Sequence, residues 1–197
     1  MKMNLPNKLT IARIILAPFS MIFILYAVPN ETWARIFAAS LFLLTAVTDL
    51  IDGKLARKFG WITNFGKFMD PLADKFMVFG ALIAMCTSSM YEKFHALLIW
   101  VTVIVIFREL AVTSMRLICV SADGTVVAAN WLGKVKTVSQ VVCIATLMLE
   151  PLVIPQSFAF YDACLLSWIT LAFMTLMTVW SGLNYMKAYA AYIDTTH

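Results

Sequence analysis

Six apolar runs dominate this chain, each near the length that carries a helix across a lipid bilayer, and they leave little room for anything else. They cover residues 9–28, 32–48, 67–88 and 94–107, a run opening at Gly133 that is apolar over 138–149, and residues 163–179. Hydrophobic residues make up 62% of the chain and charged residues 13%, against roughly half and a quarter in soluble domains. The expected fold is all-α: a polytopic membrane bundle of about six transmembrane helices with a cytoplasm-facing polar cavity, one integral membrane domain over residues 1–197.

The punctuation between the runs sets their ends. Pro6 precedes a helical start with Asn7 as its N-cap. Pro29, Asn30 and Glu31 make the first turn, and the second helix is expected to continue past the apolar run through Asp49 to Lys58. Residues 60–64 form a short link, and Tyr91, Glu92 and Lys93 lie in the next loop. The link over 121–130 carries Asp123 and Gly124. Pro151 and Pro155 are expected to break the chain after the fifth run, and the last helix to run on toward Tyr192. The opening segment has neither a signal-peptide cleavage pattern nor a transit segment, so insertion through the first span itself is expected.

Charge follows the same alternation. Polar clusters sit at the start of span one, the end of two, the start of three, the end of four and the start of five, which alternating spans bring to one side. Of the 15 Lys and Arg, all but Arg35 and Lys93 fall there, and the positive-inside rule makes that side, with both termini, cytoplasmic. Trp33, Trp61, Tyr91 and Tyr161 suit the interfacial belts. The net charge of +4 reflects this topology, and no motif supports nucleic-acid binding. Cys86, Cys119, Cys143 and Cys164 form no C-x-x-C pair and read as small core residues. His95 and His197 have no ligand-type neighbour in sequence, which argues against a histidine metal site or triad.

Between the second and third runs stands the one dense polar pattern: Asp49, Asp52, Gly53, Ala56, Arg57, Gly66, Asp70 and Asp74. On helices, Asp49 and Asp52 are three apart and Asp70 and Asp74 four apart, so each pair shares a face. Two such faces turned together make a four-carboxylate cluster, whose mutual repulsion calls for positive charge among them. Oxygen-only ligands favour magnesium or manganese, ions that commonly hold phosphate as well. Gly53 and Gly66 are read as letting a bulky ligand approach the backbone.

These eight positions, in the order D-x-x-D-G-x-x-A-R, then G-x-x-x-D-x-x-x-D, resemble the signature of the CDP-alcohol phosphatidyltransferases, integral membrane enzymes that move a phosphatidyl group from a CDP-linked lipid to an alcohol. The resemblance implies that Asp49, Asp52, Asp70 and Asp74 hold metal, Mg2+ or Mn2+ as two ions, and that Asp74 is the general base for the acceptor hydroxyl. It assigns Asn7, Thr10, Asp52, Gly53, Ala56, Arg57 and Gly66 to the CDP-lipid.

Charges at membrane depth face polar surroundings, and Arg108, Glu109, Arg116, Lys134 and Lys136 fit that description. Arg108, Arg116, Lys134 and Lys136 are the candidates for an acceptor phosphate, since Arg binds phosphate bidentately and Lys as a point charge. Residues 4–14, the segment around Asp70, the Arg108, Glu109 and Arg116 group, and Gly133 to Gln140 are similar to the bacterial branch of the family whose acceptor is glycerol 3-phosphate. That likeness implies CDP-diacylglycerol and glycerol 3-phosphate as substrates and the bacterial inner membrane as location, and it leaves a homodimer open. The last span reads as generic. Cardiolipin, phosphatidylserine or inositol-phosphate synthesis is the alternative within the family. A small cation transporter is the alternative outside it, but the acids gather at one end and no inverted repeat is visible.

Overall fold

In the computed structural model of the chain, residues 4–59, 63–123, 131–154 and 163–189 are described, without the side chains of residues 5–6, 50, 52–58, 64, 67 and 118–123. Six helices make up the described part: α1 (Leu5–Leu25), α2 (Glu31–Phe59), α3 (Asn64–Thr87), α4 (His95–Asp123), α5 (Trp131–Val153) and α6 (Leu165–Tyr189), with a 3-10 turn, Ser89–Phe94, leading into α4. Four segments, Asn7–Leu25, Ser89–Leu117, Trp131–Val153 and Leu165–Tyr189, have the length and apolar composition to cross a membrane. The more charged α2 and α3 pack along α1. The protein is a multi-pass helical membrane protein.

The helices close on themselves in a ring that does not follow chain order. α1 packs on α2 and α3, α2 also on α5, α5 on α6, α6 on α4, and α4 back on α3. Small residues make the close approaches possible: Ala17, Ala38, Ala39, Ala81 and Ala84 are buried between helices. In lipid, where apolar burial drives little, such fits supply the dispersion that holds helices together. Larger side chains such as Phe42, Met85, Met148 and Leu171 fill the space between. Phe19, Leu44, Trp100, Phe107 and Leu176 face outward, as bilayer contact requires. Cys86 and Cys143 are free thiols.

The first boundary differs from the sequence expectation. α1 begins earlier, at Leu5 with Asn4 in the N-cap position, so Asn7 lies inside the helix. Its side-chain oxygen instead accepts a bond from Thr63 Oγ1 at 2.9 Å. Pro151 lies in the last turn of α5, which ends two residues later at Val153, so the helix stops where the prolines were expected to stop it. Lacking an N–H, Pro151 leaves the Leu147 carbonyl without its helical donor. Arg35 Nη1 donates to that carbonyl at 3.3 Å, while Nη2 donates to the Met90 carbonyl at 2.7 Å and the guanidinium lies 4.9 Å from the Tyr91 ring centre. The arginine that broke the charge pattern therefore ties α2, α5 and the turn before α4 together. α6 starts under a similar constraint: Glu150 accepts from the Leu166 and Ser167 amides at 2.9 and 2.7 Å, satisfying N–H groups that a helix start leaves orphaned. α6 is described as far as Tyr189, and the expected run toward Tyr192 lies outside the described residues.

Candidate active site

The carboxylates meet at Arg13. This arginine stands inside the first apolar run and is 1% exposed. Its Nη1 donates to Asp49 Oδ1 of α2 and to Asp74 Oδ1 of α3, each at 2.6 Å. One turn earlier on both helices, Thr10 Oγ1 donates to Asp70 Oδ1 at 2.7 Å. α1 thus presents Thr10 and Arg13, three residues apart on one face, to the acids of its two neighbours. Asp49 and Asp74 keep contact with solvent, their side chains being 36% and 45% exposed.

Thr63 sets the start of α3. Its Oγ1 accepts from the Gly66 amide at 3.0 Å as the N-cap and donates to Asn7, which docks the head of α3 on α1. A Cβ on Gly66 would lie 3.3 Å from both Asn7 Oδ1 and Thr63 Oγ1 and 3.7 Å from Asp70 Oδ2. A side chain at Gly66 would therefore crowd the oxygens of Asn7 and Thr63 beside Asp70. Asn7 and Thr10, assigned to the CDP-lipid from sequence, hold Thr63 and Asp70. The side chains of Asp52, Gly53, Ala56 and Arg57 lie outside the described residues, although their backbone continues α2.

Asp49, Asp70 and Asp74 offer only oxygen donors, from two helices, at a partly open end of the ring. That donor set fits a hard divalent cation. Among the described residues, however, no three ligating groups close into a metal site. The guanidinium of Arg13 supplies the positive charge between Asp49 and Asp74 that the sequence assigned to metal alone.

A second cluster, of opposite dominant sign, lies on the other three helices. Arg108 is 8% exposed and Lys136 4%, and both bond one carboxylate oxygen, Glu109 Oε1, Arg108 at 3.0 Å. Arg108 Nη2 also donates to Ser181 Oγ at 2.6 Å, and its guanidinium lies 5.4 Å from the Tyr185 ring centre. Gly182 makes room for it, since a Cβ there would lie 3.0 Å from Arg108 Cγ. Lys75, next to Asp74, donates to Thr113 Oγ1 at 2.6 Å, and that hydroxyl donates to the Glu109 carbonyl at 2.7 Å. The Lys75 contact brings α3, one residue past Asp74, against α4 one turn past Glu109. Arg116 is exposed, and so is Lys134, which lies two residues from Lys136 and so on the opposite face of α5.

Arg13, Lys75, Ser181 and Tyr185 had no assigned role in the sequence reading. Arg13 did carry a signal, because an arginine inside an apolar span is costly unless paired. Lys75 adjoins the motif. Ser181 and Tyr185 carry none, since α6 is otherwise apolar.

An acidic cluster and a cationic cluster at one end of a membrane helix ring are suited to a phosphorylated substrate. Residues 3–180 match the CDP-alcohol phosphatidyltransferase family, and the chain belongs to it. It is similar to the CDP-diacylglycerol--glycerol-3-phosphate 3-phosphatidyltransferase of Bacillus subtilis, 41% identical over 194 residues that cover 93% of this chain and 94% of that protein. The protein of the same name in Escherichia coli K12 is 35% identical over 192 residues, 95% of this chain and 96% of its own length. A probable phosphatidylglycerophosphate synthase of Mycobacterium tuberculosis is 35% identical over 183 residues, 93% of this chain and 80% of that one.

Proposed function

We propose that this protein transfers the phosphatidyl group of CDP-diacylglycerol to the hydroxyl of sn-glycerol 3-phosphate, releasing CMP and forming phosphatidylglycerophosphate. The observation that carries the reading is the gathering of Asp49, Asp70 and Asp74 on Thr10 and Arg13, with Arg108 and Lys136 gathered on Glu109 and the two groups brought near each other where Lys75 of α3 bonds Thr113 of α4. The names of the similar bacterial proteins agree with it.

In this reading Arg108 and Lys136 bind the acceptor's phosphate, with exposed Arg116 two turns along α4 at the rim. Lys134 is left out because it stands on the other face of α5. Asp74 takes the proton of the acceptor hydroxyl; that oxygen bonds the phosphorus bearing the diacylglycerol, and the bond from this phosphorus to the CMP oxygen breaks. Mg2+ or Mn2+, as two ions held by Asp49, Asp52, Asp70 and Asp74, would neutralise the diphosphate, which is the main demand of phosphoryl transfer. Gly53, Ala56 and Arg57 would shape the CDP subsite. Arg13 and Thr10 hold the acids in register. The polar end of the ring would face the cytoplasm of a bacterial inner membrane, where a soluble sugar phosphate arrives from water and the donor from the leaflet.

The direct test is an acceptor panel with purified protein in detergent. CMP release from CDP-diacylglycerol is expected with glycerol 3-phosphate, and a chelator should abolish it. Turnover of serine or free inositol with none of glycerol 3-phosphate would overturn the acceptor assignment; chelator-insensitive turnover would overturn the metal.

The acceptor site makes its own prediction. Arg108→Ala and Lys136→Met are each expected to raise KM for glycerol 3-phosphate at least tenfold and to leave KM for CDP-diacylglycerol within a few-fold. A hydrogen bond to a charged group contributes about 1.5–3 kcal/mol, and about 1.4 kcal/mol is a factor of ten. Equal rises for both substrates would place the pair elsewhere.

A further inference from the structure

α5 and α6 leave a groove of about 300 Å3 whose lining includes none of Arg108, Glu109 and Lys136. Its lining includes Val135, Val138, Val142 and Phe173, with Trp131 and Lys134 toward the start of α5. We propose that this groove binds one anionic phospholipid of the bilayer, an acyl chain lying along α5 and α6 and the headgroup on Lys134. The ligand lies outside the reaction assigned above.

The groove has no polar demand of its own. Ser139 Oγ donates to the Lys136 carbonyl at 2.7 Å, and Thr170 Oγ1 to the Leu166 carbonyl at 2.9 Å. Both hydroxyls in the lining are satisfied within their own helices, so the remaining surface suits hydrocarbon. Val138 is 61% exposed, so no described helix covers it.

Its length and its charge select the occupant. From Trp131 to Val142 the helix rises about 16 Å, close to the ~15 Å hydrocarbon depth of one leaflet. Trp131, 71% exposed, marks the interface at one end. Lys134 lies beside it, and its stem can run along the apolar wall while its ammonium reaches the headgroup level. The side chain lies on the face of α5 opposite Lys136, so its charge is not engaged by Glu109. Among lipids, this favours an anionic headgroup over a zwitterionic one.

Native mass spectrometry of the full chain in detergent, titrated with phosphatidylglycerol or phosphatidylcholine of equal chain length, tests the proposal. The wild type should retain the anionic lipid preferentially. Lys134→Ala should cut that preference about fivefold, the equivalent of the ~1 kcal/mol that one lysine contributes at an anionic surface. Val138→Trp, which fills the groove, should lower retention of both lipids. Equal retention of both headgroups by the wild type overturns the proposal. Retention that survives Val138→Trp but falls with Arg108→Ala overturns it too, by placing the lipid at the catalytic site. So does a dimer in the wild type that Val138→Trp dissociates, which would make the groove a contact with a second copy.

Discussion

Arg13→Gln is expected to reduce turnover at least a hundredfold and to lower the melting temperature in detergent by about 5 °C, with added Mg2+ restoring more of that stability than it adds to the wild type. The buried guanidinium bonds Asp49 and Asp74 at 2.6 Å and joins three helices through one nitrogen. Removing one partner of a buried ion pair costs about 3–5 kcal/mol. Both carboxylates are more than a third exposed, so solvent screens much of that, and about 1–2 kcal/mol is the reasonable loss. At about 2–4 °C per kcal/mol for a chain of this size, the shift follows. The acids then repel without a counter-charge, and a divalent cation that binds both relieves more repulsion than it does in the wild type. Arg13→Lys should fall between, because an ammonium keeps the charge but lacks the planar fork. Thermal unfolding with and without divalent ion measures this, and an identical Mg2+ response in wild type and Arg13→Gln would show that Arg13 does not act on the carboxylates.

Asp74→Asn should lower kcat by about a hundred- to ten-thousand-fold, the usual contribution of a positioned general base. The amide matches the carboxylate in shape, and Arg13 keeps its bond to Asp49. Metal-dependent binding of CDP-diacylglycerol should therefore persist, since Asp49, Asp52 and Asp70 remain. Donor binding measured beside single-turnover rates separates the two roles. If binding collapses as far as turnover, Asp74 is chiefly a metal ligand.

Helix positions were legible because they depend on short-range properties of the chain. Apolar run length marks the spans, and the signature spacing puts Asp70 and Asp74 on one face. What was not legible is which distant partner a residue meets. Pro151 reads correctly as the approach of a helix end, but it does not say that Arg35, 112 residues before Leu147, takes the carbonyl the proline leaves open. Asn7 reads as a cap, yet Thr63, 56 residues on, uses its side chain.

The sequence by itself determined a helical membrane protein, the family signature, and the fact that ionisable residues in apolar runs must find polar company. Tertiary structure alone decided which company. Arg13 meets Asp49 and Asp74 from 36 and 61 residues away, and Arg108 meets Ser181 from 73 residues away. Those pairings follow from a ring in which α2 lies beside α5 and α3 beside α4, an order set by how small and large side chains interlock across helix faces. Hydropathy and spacing are properties of one helix at a time, and the fit between two faces is not.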